Sequence, residues 1–325
     1  MTARRRVLVT GAAGFLGSHV VERLSGTGVH EVLATDIART ERAEGLAALD
    51  HVEFLAMDLR DTTALDMAVS ACDQVVHLAA VRTHAASASP RAAHDVNVGA
   101  AYDLLSLSAR HGVERLVLGS THCVYGAFDD PAAPPFTEDQ ARVRRGLSMY
   151  SASKLAAEAF AEAFAEAFAQ SGGAPYVILR YGTIYGPRAN RDSNAGIMLD
   201  MLDALDRGER PSVPWQRDAV HALVHVDDAA RATVRALEAT GVERTAVNVV
   251  GPPVTSEELY TTLVRIHGSD PAAIEWRDER TRYQHVSAER LASALGLAGT
   301  TDLHSGLQEF VDWYREHHKS VDPAQ

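Results

Sequence analysis

A stretch near the start of the chain, residues 7–24, constrains the fold more than any other. Three apolar strand-forming residues lead into Gly11, Gly14 and Gly17, spaced G-x-x-G-x-x-G, and residues 18–24 follow with helical periodicity. The pattern predicts a strand, a tight turn and a helix. Without Cβ atoms the turn lets a pyrophosphate approach the backbone, and the helix N-terminus directs N–H groups and a positive dipole end at it. We therefore predict a dinucleotide site.

A second apolar strand, residues 31–36, supports this prediction. It ends in Asp36, about 20 residues after the glycine loop, where a carboxylate accepts hydrogen bonds from the ribose hydroxyls of NAD and repels the 2′-phosphate of NADP. The glycine spacing itself departs from the G-x-G-x-x-G fingerprint, so this carboxylate strengthens the assignment. The predicted cofactor is NAD.

Composition excludes several classes of function. The chain has 325 residues, of which 46% are apolar, and a formal charge of -12 that argues against nucleic acid or an anionic membrane surface as a partner. No apolar run approaches the roughly 18 residues of a membrane span. Cys72 and Cys123 give no disulfide framework, so we expect a cytoplasmic protein. The histidines show no metal-ligand spacing beyond His317–His318, and we expect no metal.

Strands alternate with helices over about the first 125 residues, which predicts an α/β fold with a right-handed, doubly wound parallel sheet. Ligands bind at the carboxyl ends of such strands, where Ser120 and Thr121 end the fifth strand. Asp58 ends the third strand, where it either accepts from an adenine amino group or caps a helix. A helix over residues 90–110 carries Asn97.

The chain divides into two interleaved parts in this interpretation. Residues 1–180 form the NAD-binding Rossmann domain, and residues 181–325 form a smaller α/β substrate lobe. Residues 222–250 are expected to return to the main sheet, because an apolar strand and an Ala/Arg helix interrupt the polar, Pro-containing connections of the second half.

A long Ala-rich helix begins near Met149 and continues to about residue 170. Its side chains separate into an apolar stripe and a row of acids about 160° away. The stripe, which we expect to face a core or a second subunit, consists of Phe160, Phe164 and Phe168, and the acids are Glu158, Glu162 and Glu166.

Tyr150 and Lys154 stand four residues apart at the start of that helix and share one face. A phenol with a pKa near 10 cannot act as a base at neutral pH, but a neighbouring ammonium and an oxidised nicotinamide both favour the phenolate. We expect Lys154 to hold the nicotinamide ribose as well. A third hydroxyl, that of Thr121 or Ser120, would hydrogen-bond a substrate oxygen that alternates between alcohol and ketone.

Taken together, these motifs resemble the extended short-chain dehydrogenase/reductases, and among them the NAD-dependent nucleotide-sugar epimerase/dehydratase group. The resemblance covers nearly the whole chain. It rests on the glycine loop, the Tyr150–Lys154 pair, and the phrases at residues 77–80, 96–98, 120–126, 180–188 and 225–228. It implies a homodimer that binds a nucleotide sugar, with a four-helix contact that uses the Tyr150 helix and the helix before Arg110.

The resemblance also implies roles for individual residues. Phe15 and Leu16 would lie against the pyrophosphate, Asp36 would bind the adenosine ribose, and Asp58 and Leu59 the adenine. The rest of the cofactor groove would be lined by Leu78, Ala79, Ala80, Arg82 and Asn97. The substrate-binding residues would be Thr121, His122, Cys123, Thr183, Arg188, Arg217 and Arg280, with Arg282 an alternative to Arg280 as a diphosphate ligand.

Departures from the family pattern narrow the reaction. Cys123 stands where the resembling 4,6-dehydratases and decarboxylases have a Glu that serves chemistry beside the ketone. A 4-epimerase needs no such acid, so nucleotide-sugar 4-epimerase is our first prediction. The alternatives are a nucleotide-sugar dehydrogenase or 4-ketoreductase, and a 3,5-epimerase that uses Cys123 as acid/base. A non-catalytic NAD sensor is disfavoured, since Tyr150, Lys154 and Thr121 are all present.

Overall fold

A seven-stranded parallel sheet forms the centre of the molecule. The computed structural model describes residues 4–126, 129–140, 146–167, 175–193, 195–280 and 282–318. The strands of the sheet are β1 (Arg5–Thr10), β2 (His30–Asp36), β3 (Val52–Ala56), β4 (Gln74–His77), β5 (Arg115–Thr121), β6 (Tyr176–Tyr181) and β10 (Thr245–Val249). Their order is β10-β6-β5-β4-β1-β2-β3, with all neighbours parallel. The predicted doubly wound sheet is confirmed, and its order reverses between β1 and β4, where ligands bind in such sheets.

Helices cover both faces of this sheet. Those in the first half of the chain are α1 (Phe15–Gly26), α2 (Glu41–Ala47), α3 (Thr62–Ser70), α4 (Thr83–Ala88), α5 (Pro90–Ala93), α6 (Ala101–His111) and α7 (Met149–Ala167). One apolar core lies between the sheet and the α1 side, and a second lies between the sheet and α3, α6 and α7. Continuous burial on both faces explains why the strands are apolar almost throughout.

The helix predicted over residues 90–110 is interrupted. It consists of α5, a π-helical turn (His94–Ala100) and α6. Asn97 lies in the wider turn, where its amide exchanges hydrogen bonds with the backbone of Val81 at 2.7 and 2.8 Å. Apolar periodicity does not report such a turn, because it alters the helix by one residue only.

The second half of the chain builds a smaller lobe around a third core. Its strands are β7 (Thr183–Tyr185), β8 (Ser212–Trp215), β9 (Val220–His225), β11 (Pro253–Thr255) and β12 (Glu275–Arg280), and its helices are α8 (Gly196–Asp206), α10 (Ser256–His267) and α12 (Leu303–His317). The other two helices of the second half, α9 (Val226–Glu238) and α11 (Glu289–Leu295), pack in the first core beside α1 and the main sheet. The smaller sheets have the orders β11-β9-β7 and β12-β8.

The segment expected to return to the main sheet does so only in part. Strand β9 pairs with β7 and β11, so placing it in the main sheet was wrong, whereas β10 pairs with β6 at the sheet edge. An apolar run predicts that a strand is buried but does not identify its neighbours. The division of the chain near residue 180 stays a prediction. Within the described ranges, no helix is both long and apolar enough to cross a membrane.

Candidate active site

The predicted glycine loop forms the turn between β1 and α1. Gly11 has φ of +70°, and a Cβ atom there would lie 2.7 Å from the backbone nitrogen of Ala79. A Cβ atom on Gly17 would lie 2.0 Å from the carbonyl oxygen of Gly11. Gly14 caps α1 without a side chain, so the first-turn N–H groups of the helix are directed at the space above the sheet. This backbone suits a pyrophosphate.

A cavity of about 450 Å³ begins at this turn and runs across the carboxyl ends of the strands. Most of the predicted site residues line it. They are Gly11, Gly14, Phe15, Leu16, Gly17, Asp36, Asp58, Leu59, Leu78, Ala79, Ala80, Arg82, Ser120, Thr121, His122, Tyr150, Lys154 and Thr183. The fold therefore brings together residues that are up to about 170 positions apart in the sequence.

Two carboxylates lie at one end of the cavity. Asp36 Oδ2 accepts from the Ala13 N–H at 3.0 Å and Oδ1 from the Ile37 N–H at 2.8 Å, so two backbone groups hold its orientation. Asp58 is bound by Arg60, which lowers the pKa of its carboxyl group. The helix-cap interpretation of Asp58 was wrong, since Asp61 caps α3 through its bonds to the N–H groups of Thr63 and Ala64. The fixed orientation of Asp36 is what binding of ribose hydroxyls requires.

Several predicted residues lie outside this cavity lining. Asn97 is buried and its amide also donates to Ser153 Oγ at 2.9 Å, so it braces the cavity wall. Arg188 pairs with Glu22, and Arg217 pairs with Glu257 and covers the ring of Trp276. Each arginine is paired with a carboxylate on a neighbouring helix, and their role in a diphosphate clamp stays a prediction. Arg280 ends β12, and its side chain lies outside the described part of the chain.

Tyr150 and Lys154 project from the first turns of α7 into the cavity. Burial raises the pKa of Tyr150 to about 12, which the charge of Arg82 opposes. Burial lowers the pKa of Lys154 to about 8, which Glu158 opposes. We expected the lysine to lower the tyrosine pKa, but desolvation dominates in this structure and Arg82 is the opposing cation. The Lys154 ammonium donates to the Gly119 carbonyl oxygen at 2.8 Å.

The two hydroxyl candidates at the end of β5 differ, because successive side chains of a strand point in opposite directions. Ser120 Oγ donates to the buried carboxylate of Glu158 at 2.5 Å, so its proton is not available for a hydrogen bond to a substrate oxygen. Thr121 Oγ1 accepts from the Cys123 N–H at 3.3 Å, and its hydroxyl also hydrogen-bonds the Cys123 thiol, which lowers the thiol pKa. Of the two hydroxyls, that of Thr121 fits the substrate oxygen.

His122 and Cys123 form a couple in the 3-10 turn after β5 (His122–Tyr125). The Cys123 thiol lies 3.7 Å from His122 Nε2, and His122 Nδ1 lies 3.0 Å from the Tyr181 carbonyl oxygen. Because Nδ1 faces a carbonyl, we assign a proton there, and a second proton at Nε2 gives the imidazolium that faces the thiolate. Burial by itself raises the pKa of Cys123, but the charged His122, whose own pKa the thiolate raises against the effect of burial, lowers the pKa of Cys123 to about 6.

Three residues of the site were not identified from the sequence in these roles. Gln284 lies with its amide nitrogen 2.7 Å from His122 Nε2. Arg282 lies 5.5 Å over the ring of Trp215, and its charge lowers the pKa of Cys123. Glu158, assigned to a polar row opposite the apolar stripe, is fully buried. Its spacing of four residues from Lys154 was the available signal. Nothing local marks Gln284, and Arg282 was expected only as an alternative to Arg280 as a diphosphate ligand.

Comparisons with known proteins agree with this architecture. The family model described as "NAD dependent epimerase/dehydratase family" matches residues 7–250. The chain is 33% identical to a Streptomyces dTDP-4-dehydro-6-deoxy-D-allose reductase, over 97% of this chain and 98% of that protein. It is 30% identical to the UDP-glucose 4-epimerase of Mycolicibacterium smegmatis, over 95% and 98%. The crystal structure of the Thermus thermophilus UDP-glucose 4-epimerase with NAD superposes with a TM-score of 0.79 at 30% identity, covering 96% and 99% of the two chains.

Proposed function

We propose, on the premise that this chain belongs to the NAD-dependent epimerase/dehydratase family, that it is a nucleotide-sugar 4-epimerase. NAD would be held by the glycine turn, Asp36 and Lys154, where it would supply the hydride acceptor for C4 of the sugar and a positive charge that favours the Tyr150 phenolate. Tyr150 takes the proton of the C4 hydroxyl and returns it after the keto intermediate has rotated in the site to present its other face. Thr121 donates a hydrogen bond to the same oxygen, and Lys154 holds the ribose.

The observation that carries this proposal is the arrangement of Tyr150, Lys154 and Thr121 along one cavity. These groups supply one proton transfer and one hydrogen bond at a single carbon–oxygen bond, which is what inversion through a ketone needs. A dehydration would need a further acid beside the ketone. Cys123 stands at that place in this chain, and its side chain is not a carboxylic acid.

The test uses a nucleotide sugar deuterated at C4, with the protein as purified and its bound NAD measured first. A 4-epimerase keeps the deuterium in the inverted product, because the hydride leaves and returns within one closed site. The product then has the mass of the substrate. Loss of the label, or a net conversion of NAD to NADH that matches the sugar consumed, would contradict a 4-epimerase.

A second candidate is a nucleotide-sugar 4-ketoreductase, favoured by the 33% identity to the Streptomyces reductase. The same Tyr150 and Thr121 would then give a proton and a hydrogen bond to a ketone that arrives as substrate. Such an enzyme must release its oxidised cofactor after each turnover. Stoichiometric NADH oxidation with a 4-keto sugar nucleotide, without epimerisation of the alcohol, would support the reductase.

The 3,5-epimerase alternative gains a basic partner from His122, which lies against the Cys123 thiol. A thiol with a pKa near 6 can take a proton from the carbon beside a ketone and return one. Turnover in heavy water separates this candidate from the first two. Gain of a deuteron at C3 or C5 that is lost in Cys123→Ser would support it, and an unshifted product mass would exclude it.

The predicted homodimer stays a proposal, which an apolar patch on α6 and α7 supports. Tyr102 and Phe160 are 44% and 36% exposed, and the Tyr102 ring contacts the rings of Phe160 and Phe164 at 5.3 and 5.2 Å. Phe168 lies outside the described residues. Light scattering at micromolar concentration should give a dimer that Phe160→Glu dissociates, while Val29→Glu, on another surface, does not. A monomeric unmodified protein would reject the proposal.

A further inference from the structure

A buried carboxylate lies directly behind the catalytic face of α7. Tyr150, Lys154 and Glu158 are spaced four residues apart, so they occupy one side of the helix over two turns. Glu158 is fully buried. Its Oε1 accepts from Ser120 Oγ at 2.5 Å and from Arg180 Nε at 3.1 Å, and its Oε2 accepts from Arg180 Nη2 at 2.9 Å. Each carboxylate oxygen therefore has a defined donor.

The helix is attached to two consecutive residues of β5. Lys154 Nζ donates to the Gly119 carbonyl oxygen at 2.8 Å, and Glu158 accepts from the hydroxyl group of Ser120. The next residue of the strand is Thr121, whose hydroxyl faces the cavity beside Tyr150. The position of Tyr150 relative to Thr121 consequently depends on these two attachments.

Glu158 is itself held by a chain of hydrogen bonds that crosses the main sheet from β6 to β10 and reaches the segment before α11. Arg180 Nη1 donates to the Tyr125 hydroxyl at 2.9 Å, and that hydroxyl donates to Asn248 Oδ1 at 2.8 Å. Asn248 donates in turn to the Ser287 carbonyl oxygen at 3.1 Å. Such a chain of buried hydrogen bonds is satisfied only in one arrangement of its members.

We propose that Glu158 is a positioning residue, which fixes Ser120 of β5 against α7 one turn after Lys154 and thereby sets the position of Tyr150 and Lys154 relative to Thr121. The proposal rests on the proposed function only in taking Tyr150 and Lys154 as the catalytic pair. The negative charge of Glu158 matters because the other charged or titratable groups around Glu158 and Lys154 do not replace it. His77 on β4 stays neutral, since burial lowers its pKa to about 3, and Arg180 on β6 is a cation.

The direction of the expected effect follows from the Lys154 environment. Burial holds the pKa of Lys154 near 8, below its ordinary value, and Glu158 opposes that effect. Removing the negative charge therefore lowers the Lys154 pKa further, so the ammonium is lost at a lower pH. Activity that needs the ammonium then declines earlier as the pH rises.

The sequence offers a direct readout, because it contains only two lysines, Lys154 and Lys319. In protein labelled with ¹³C-lysine, Lys319→Arg leaves a single lysine signal, whose titration reports Lys154 without any substrate. In the NAD-bound protein, Glu158→Gln should lower that titration midpoint by about one pH unit. Glu166→Gln, an exposed residue of the same helix, is the matched control and should leave it unchanged.

The pH profile of turnover provides the second readout. The alkaline limb should move down by about one pH unit in Glu158→Gln, while Ser120→Ala lowers the rate without moving the limb. If Glu158→Gln fails to fold, the double variant Glu158→Gln/Arg180→Met removes both charges and is titrated instead. An unchanged Lys154 midpoint in the folded variant would overturn the proposal. Full activity of Tyr150→Phe would instead refute the proposed function and leave the Lys154 titration interpretable.

Discussion

The cavity has two ends that are built in different ways. At the cofactor end, the glycine turn, Asp36 and Asp58 all come from the first sixty residues and from three neighbouring strands. At the end where we propose that the substrate binds, Arg82 donates to the Asp192 carbonyl oxygen at 3.0 Å, and Gln284 Nε2 lies 2.7 Å from Nε2 of the lining residue His122. These two contacts join residues 110 and 162 positions apart. A local motif therefore defines one end, whereas the packing of the smaller lobe on the sheet defines the other.

The proposed catalytic pair, Tyr150 and Lys154, lines the same cavity, and replacing Tyr150 should have the largest effect. Tyr150→Phe should keep the fold and the bound NAD while lowering turnover by roughly 10²–10⁴, the usual contribution of general acid–base catalysis. Steady-state kinetics and the NAD content of the purified variant are the measurements. Retention of wild-type turnover would show that the phenol hydroxyl takes no part.

The thiol of Cys123 should be more reactive than the thiol of Cys72. The pKa of Cys123 is lowered to about 6 by His122, whereas burial raises that of Cys72 to about 12. At pH 7 iodoacetamide should alkylate Cys123 on the order of 100-fold faster than Cys72, because the thiolate is the nucleophile. Peptide mass spectrometry over time measures both rates in one sample, and His122→Phe should remove most of the difference. Equal rates in the unmodified protein would contradict this environment.

The cofactor end should respond to a single carboxylate. Asp36→Asn should weaken NAD binding by about tenfold, because a charged acceptor is lost. It should also reduce the ratio of NAD affinity to NADP affinity. The backbone hydrogen bonds from Ala13 and Ile37 partly remain in this variant. Titration of both cofactors into the cofactor-free variant gives the two dissociation constants. Equal affinity of the unmodified protein for NAD and NADP would remove the role given to Asp36.

The smallest expected effects are those of replacing Arg282 and Arg188. Arg282, beside Trp215 and Cys123, should raise KM about fivefold when changed to Ala, since a guanidinium suits diphosphate oxygens. Arg188→Ala should change KM by less than about twofold, because its partner is Glu22 on α1. Initial rates over a range of substrate concentrations test both. A larger effect from Arg188 than from Arg282 would reverse the assignment.

The features that could be predicted from the sequence are those that depend on residues close together in the chain. The glycine turn, the carboxylate of Asp36 and the Tyr150–Lys154 pair each depend on residues within one strand–turn–helix unit, and the parallel sheet was predicted from the repetition of such units. In those units the side-chain period and the backbone geometry are set by neighbours in the chain. The family identification is likewise confirmed, since its motifs are of this local kind.

Other features were decided only when distant segments packed together. The tertiary structure assigned β9 to the small sheet, committed the Ser120 hydroxyl to Glu158, and held Arg188 against Glu22. Periodicity shows which side of an element is apolar, but the partner of a buried polar group depends on which element covers it. Local sequence therefore predicts the fold class and the NAD cofactor, while the packing of distant segments selects the polar groups that remain available to a ligand.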